Sequence, residues 1–164
     1  MRVGIGYDVH RLVSGKALVL GGVAVEFDRG LEGHSDADVL VHAVCDAMLG
    51  AAGAGDIGEH FPDTDPAWKG ISSLVLLSKT AALVKGRGFA VESIDATVIA
   101  QAPRISPYKA TMAANVARAA GIAVDRVNVK ATSTEGLGWI GRGEGIGAMA
   151  VALLTPMDIS ADSF

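Results

Sequence analysis

The sequence predicts an α+β fold, a small mixed β-sheet with helices packed on one face plus a β-hairpin, in a single domain over residues 1–164. Three observations carry this. Side chains alternate with a period of two in four separate stretches, the pattern of half-buried strands. Three other stretches place apolar residues at helical spacing between capping residues and glycines. Their order along the chain is strand, hairpin, helix, helix, strand, helix, strand, strand, which builds a mixed sheet covered on one side. With 164 residues, 50% hydrophobic and 20% charged, the chain can bury one ordinary core.

Val3, Ile5, Tyr7 and Val9 alternate with Gly4, Gly6, Asp8 and His10, so the first strand carries Asp8 and His10 on one face. Ala17 to Leu20 and Val23 to Phe27 flank Gly21-Gly22, a pair suited to the positive φ angles of a tight hairpin turn. The first helix is expected from about Ser35 to Ala51, because Ser35 and Asp38 resemble a capping box, and this sets His34 just outside the first turn. Residues 53–70 lack sustained periodicity and are rich in Gly, Pro and Asp, a long loop, ordered or mobile, of the kind that carries function. Ser72 or Ser73 caps a second helix through Leu74, Leu77, Ala81 and Val84. Phe89 to Ala100 alternates as a strand, and a third helix from about Pro107 to Ala120 has proline in its first turn. Val127 to Ala131 and Gly145 to Leu154 read as the last two strands, with a frayed tail after Thr155. Ile146, Ala148, Ala150, Ala152 and Leu154 leave the last strand too apolar to face water, which predicts homo-oligomerisation.

A net charge of −4 with no run of Lys and Arg argues against a nucleic-acid surface. No segment approaches the roughly 18 apolar residues of a membrane span, and no apolar stretch of signal-peptide length opens the chain. The single cysteine, Cys45, excludes an intramolecular disulfide framework and suits a reducing compartment. A cytoplasmic protein is expected, or a mature form whose targeting segment is absent.

Polar chemistry concentrates in two places. His34, Asp38, His42 and Asp46 recur every four residues, and on a helix each such step drifts only about 40° from a full turn. The same spacing suits a core helix with a solvated acidic edge. Asp8 and His10, at i and i+2 on a strand, can converge on one ion, with His42 the candidate third ligand. Two His and one carboxylate make a known catalytic zinc set with an open fourth position, and Asp38 or Asp46 would then hold the free ring nitrogen of His42. The second place is Lys130-Ala-Thr-Ser-Thr-Glu135, followed by glycines around Trp139 and Arg142. Its hydroxyls offer donors to phosphate oxygens, and Glu135 can hold a hard divalent ion. A turn-rich connection to the final strand is the structural alternative.

Asp8-Val-His10, His34-Ser35-Asp36, His42, Asp56-Ile-Gly58, Phe61-Pro-Asp-Thr-Asp65, Ala100-Gln-Ala-Pro103, Val127 to Thr132, Glu135 and Gly141 to Gly145 together resemble the 2-C-methyl-D-erythritol 2,4-cyclodiphosphate synthases of the non-mevalonate (methylerythritol phosphate) isoprenoid pathway. The resemblance runs from Met1 to about Leu154. It implies a homotrimeric lyase, one catalytic domain per chain, with active sites between subunits. By it, Asp8, His10 and His42 bind zinc, His34 and Ser133 contact the phosphate undergoing substitution, and Glu135 binds Mg²⁺ or Mn²⁺ between two phosphates. Asp56, Ile57, Gly58, Phe61, Pro62, Asp63, Thr64 and Asp65 hold the methylerythritol part and line a mobile loop. Ala100, Gln101, Ala102, Pro103, Arg104, Ile105 and Ser106, with Ala131, Thr132 and Ser133, form a cytidine pocket, and Ser35, Thr134, Trp139 and Arg142 complete the substrate contacts. Ser133 stands where the family often has Thr, and Arg104 where Lys is common; the hydroxyl and the charge are kept.

The reaction so implied is attack by the 2-phosphate of 4-diphosphocytidyl-2-C-methyl-D-erythritol 2-phosphate on the β-phosphorus of its own cytidine diphosphate arm. It closes 2-C-methyl-D-erythritol 2,4-cyclodiphosphate and expels CMP. Two other readings are a zinc-dependent phosphohydrolase and a trimeric protein binding isoprenoid diphosphates near Trp139, Arg142 and Glu144.

Overall fold

The computed structural model describes residues 1–157. The first strand, β1 (Arg2–Ser14), is followed by the expected hairpin of β2 (Leu18–Leu20) and β3 (Val23–Val25), closed by Gly21 and Gly22 at φ 57° and 67°. Positive φ at both turn positions matches the twist of the flanking strands. A short strand that alternation did not reveal, β4 (Arg29–Leu31), pairs antiparallel with the end of β1. Three residues carry too little periodicity to be read.

The first helix, α1 (Val39–Ala52), begins four residues later than the capping box suggested. Asp38, not Ser35, is its N-cap, accepting from Val41 N at 3.1 Å. Ala37 at φ 58° cannot belong to a right-handed helix, so residues 34–37 form a loop and His34 lies well outside the first turn. The unpatterned segment 53–70 is not structureless: it holds α2 (Ile57–His60) and a 3-10 turn at Pro66–Trp68. Next come α3 (Ser73–Gly86), β5 (Phe89–Ile99), α4 (Lys109–Ala120), β6 (Val127–Thr132), α5 (Gly138–Gly141) and β7 (Gly145–Pro156). The strand outlasts Thr155, and Met157 N still donates to Gly88 O; residues 158–164 of the expected frayed tail lie outside the described residues.

Five strands form one sheet in the order β4-β1-β7-β5-β6, with β5 and β6 parallel and the other pairs antiparallel. The mixed sheet and its one-sided helices are as predicted. Helix α1 lies across β1, β7 and β5, and α4 covers β6. Glycine lets α1 press directly onto β1: a Cβ on Gly4 would stand 2.1 Å from Ala47 O and one on Gly6 1.9 Å from Ala43 O. This close approach brings His42 on α1 beside Asp8 and His10 on β1.

One expectation is overturned. Ile146, Ala148, Ala150, Ala152 and Leu154, read as a surface needing a subunit partner, are buried beneath the helices. The uncovered face carries Val3, Ile5, Tyr7 and Val9 of β1 with Met149 and Val151 of β7, all exposed.

Candidate active site

Asp8 and His10 leave β1 on the helix side of the sheet, and His42 meets them from one turn inside α1. The Asp8 Oδ2 atom lies 2.9 Å from His10 Nε2 and 3.1 Å from His42 Nδ1, and those two nitrogens are 3.2 Å apart. The three half-buried residues are a group that could hold a metal ion, the only such group among the described residues. Burial works to raise the Asp8 pKa, but the hydrogen bonds and charges of His10 and His42 outweigh it and hold the carboxyl far below the usual range. Burial also works against protonated His10, yet Asp8 and the Glu32 carbonyl raise its pKa above the ordinary value.

The remaining ring nitrogens are engaged. His10 Nδ1 is 2.6 Å from Glu32 O, so it donates there, and in the neutral ring Nε2 carries the lone pair. His42 Nε2 lies 3.0 Å from Ser35 Oγ and 2.9 Å from Ser73 Oγ. Neither Asp38 nor Asp46 reaches it, contrary to the expectation from helical spacing. Asp38, fully buried, accepts from Gly21 N at 2.9 Å and Gly22 N at 2.7 Å besides capping α1. Asp46 accepts from Ile57 N at 2.8 Å and so holds the start of α2.

A cavity of about 270 Å³ opens over the cluster, lined by His10, His34, Ser35, His42, Ile57, Phe61 and Asp63, and also by Gly33, Trp68 and Leu76. Phe61 and Trp68 meet edge to face at 5.2 Å and form one wall. His34 Nε2 lies 3.3 Å from Asp65 O, tying the loop to the segment before α1. Asp56 caps α2 through Glu59 N at 3.0 Å, and Asp65 caps the 3-10 turn through Ala67 N at 2.9 Å. Gly58 and Thr64 are exposed, and Pro62 O accepts from Asp65 N. Trp68 and Leu76 were missed in the sequence; a tryptophan inside a Gly- and Pro-rich loop was the available signal.

The second constellation sits elsewhere. Because β5 and β6 are parallel, the loops after them leave the sheet at the same end. They enclose a cavity of about 300 Å³ lined by Ala100 to Ile105 and Ala131 to Ser133, with Ser106 opening the 3-10 turn behind it. Ser133 Oγ donates to Glu135 Oε1 at 2.9 Å, Glu135 is held at φ 53°, and Thr134 Oγ donates to Leu137 O. A non-glycine residue in the left-handed region is the kind of local strain kept at functional positions. The two cavities share no lining residue. Trp139 lines a third hollow, of about 220 Å³, with Val9, His10 and Glu144, while Arg142 pairs with Glu144 at 2.6 Å on the surface.

No helix among the described residues is long and apolar enough to cross a membrane. The YgbB family model matches residues 1–155. A 2-C-methyl-D-erythritol 2,4-cyclodiphosphate synthase of Desulfosudis oleivorans is 66% identical over 94% of this chain and 92% of its own length. One of Thiobacillus denitrificans is 60% identical over 94% and 96%. The CDP complex of Plasmodium falciparum IspF superposes with a TM-score of 0.83 at 32% identity, over 96% of this chain and 97% of that one. The bifunctional IspDF of Campylobacter jejuni gives 0.92 at 43% identity over 96% of this chain, which spans 42% of that longer protein.

Proposed function

The chain belongs to the YgbB family, and on that premise we propose that it is a lyase of the non-mevalonate isoprenoid pathway, a cyclodiphosphate synthase like its relatives. Its substrate is 4-diphosphocytidyl-2-C-methyl-D-erythritol 2-phosphate. An oxygen of the 2-phosphate bonds to the β-phosphorus, the bond from that phosphorus to the oxygen bridging to the α-phosphate breaks, and CMP leaves with the electron pair. Nucleophile and electrophile belong to one molecule, so the protein's work is to fold it into line and offset phosphate repulsion. No side chain forms a covalent bond.

One observation carries the reading: three donor atoms 2.9, 3.1 and 3.2 Å apart on Asp8, His10 and His42. Around a tetrahedral zinc with bonds of about 2.0–2.1 Å, ligand atoms stand about 3.3 Å apart, so the set fits zinc with a fourth position open. When bound, zinc supplies Lewis-acid stabilisation of charge on phosphate oxygen and a fixed template. Glu135, exposed and with only Oε1 engaged by Ser133, fits Mg²⁺ or Mn²⁺, which keep most of their coordination for water and phosphate. His34 and Ser133 donate to the phosphate being substituted, which strengthens as charge moves onto its oxygens. Asp56 to Gly58 and Phe61 to Asp65 hold the methylerythritol, and the Phe61–Trp68 wall excludes water. Ala100 to Ser106 and Ala131 to Ser133 seat the cytidine; Ser35, Thr134, Trp139 and Arg142 complete the substrate contacts.

Two cavities without a common wall are half-sites. We read the working enzyme as a homotrimer in which one copy supplies the metal cluster and its neighbour the cytidine pocket. The exposed apolar face of β1 and β7 supports this. The lone buried Cys45 fits a reducing compartment, the cytoplasm.

The test is incubation with the substrate, with and without chelator, followed by mass analysis. CMP and the cyclic product are expected, and chelation abolishes both. A linear product gaining water would make the protein a phosphohydrolase; binding without turnover would make it a binding protein. His42→Ala is expected to lose zinc and most turnover, and a variant keeping both refutes the ligand set.

A further inference from the structure

Asp36, Ser73 and His42 form a hydrogen-bonded line ending on the metal cluster, and none of the steps above uses its first two members. Ser73 opens α3 and is completely buried. Its hydroxyl donates to Asp36 Oδ1, and its backbone N–H donates to Asp36 Oδ2 at 3.0 Å. Ser72, the formal N-cap, makes no side-chain cap bond, so Asp36 caps α3 from across the site. With its proton committed to the carboxylate, Ser73 Oγ can only accept from His42 Nε2, 2.9 Å away. Ser35 Oγ, 3.0 Å from the same nitrogen, accepts from Ala37 N; since the Ser73 proton is committed, the Ser35 hydroxyl donates to Ser73 Oγ at 3.3 Å, which leaves its oxygen as a second acceptor for His42.

We propose that Asp36 and Ser73 are positioning residues for His42: the carboxylate aligns the serine hydroxyl, the hydroxyl keeps the ring proton on Nε2, and Nδ1 is left as the lone pair that faces the metal. A metal-bound histidine has its tautomer set by the partner of its other nitrogen. Here that partner is a hydroxyl backed by a carboxylate. The segment that holds Asp36 also anchors the far end of the substrate loop, since Asp36 N donates to Ile71 O and Gly70 N to His34 O. Where segment 70–73 sits therefore decides whether His42 is presented correctly.

The inference rests on the zinc reading of the cluster, and the experiment separates the two. Zinc affinity of the full chain is measured by competition with a chromophoric chelator, and the His42 Nε2 proton of the zinc-loaded protein is followed by nitrogen-15 NMR. Ser73→Ala keeps the backbone bond to Asp36 but loses the hydroxyl; zinc affinity is expected to fall about 10–100-fold. The Nε2 proton should then exchange much faster than in the wild type. Asp36→Asn is the sharper variant. Asp36 Oδ1 accepts from the Ser73 hydroxyl and from Asp38 N at 3.3 Å, and Oδ2 accepts from Ser73 N, so an amide must give up the bonds of one oxygen. If it keeps the hydroxyl, a neutral oxygen now holds that proton, less firmly than a carboxylate does; if not, the hydroxyl loses its acceptor. An affinity loss in the same direction is expected in either case, and it decides the question should Ser73→Ala fail to fold. Ser73→Thr, which restores a hydroxyl, should recover most of the affinity. Variants that bind zinc like the wild type, or an Nε2 proton unchanged in them, overturn the relay alone. A wild-type chain that does not bind zinc overturns the cluster reading and the relay with it.

Discussion

Asp8 and His10 stabilise each other's charge when no metal is bound. The folded-state pKa of Asp8 is depressed, so its contribution to stability is present above the ordinary carboxylate value of about 4 and is lost as pH falls through the depressed one. That of His10 is raised, so its contribution is complete below about 6.5 and is lost as pH rises through the raised value. With chelator present, the stability difference between wild type and Asp8→Asn should be largest from about pH 4 to 6.5 and shrink on both sides. Urea unfolding across pH measures it, and a difference independent of pH rules the account out. At Glu135 a different readout applies: Glu135→Gln should shift the Mg²⁺ or Mn²⁺ titration of turnover to higher concentration, and an unshifted titration removes the residue from metal binding. That Asp8 and His10 meet was legible because they are two apart on a strand, a spacing that fixes a common face. Ser73 was not, because it meets His42 only once α3 is packed against the loop before α1, and no local pattern records such a contact.

Among the elements, the hairpin and the first turn of α1 depend on one side chain. Asp38 takes two hydrogen bonds from the hairpin turn and one from Val41 N while completely buried. Burial raises its pKa to about 6 against the pull of those three bonds. Asp38→Ala removes a helix cap and leaves buried N–H groups unpaired, a loss of about 2–4 kcal/mol. Chemical denaturation checks this, and a change below about 0.5 kcal/mol, the size of a neutral surface substitution, would contradict the clamp. The long strands and the three main helices could be read from periodicity because each spans several repeats. The start of α1 could not: Ser35 and Asp38 fit a capping box, yet Ala37 at φ 58° breaks the helix between them, and backbone strain leaves no mark in residue type. Helix α2 is held by Asp46 and Asp56 rather than by an apolar stripe, which is why its four residues passed for loop.

For the whole molecule, the proposed assembly turns on which face of the sheet the helices leave open. Alternation in β1 and β7 shows that their two faces differ, but not which one the helices cover. Glycine answers it in retrospect, since only the Gly4 and Gly6 face admits a helix at van der Waals contact. The opposite face stays open, with Val3 68%, Ile5 64% and Tyr7 54% exposed, and Ile5 and Tyr7 lie opposite Val151 and Met149. A contiguous apolar surface of this kind is the mark of association. Ile5→Asp should therefore reduce the light-scattering mass from a multiple to the 16.7 kDa of one chain. Turnover should fall with it, because the half-sites part. Subunit mixing tests the sharing itself. His42→Ala damages one half-site and Ser133→Ala the other, so each variant alone is inactive. Unfolded together in equal amounts and reassembled, they should regain about a quarter of wild-type activity, since random assortment restores both intact halves at one interface in four. If every site lay within one chain, each would carry one lesion and the mixture would stay inactive.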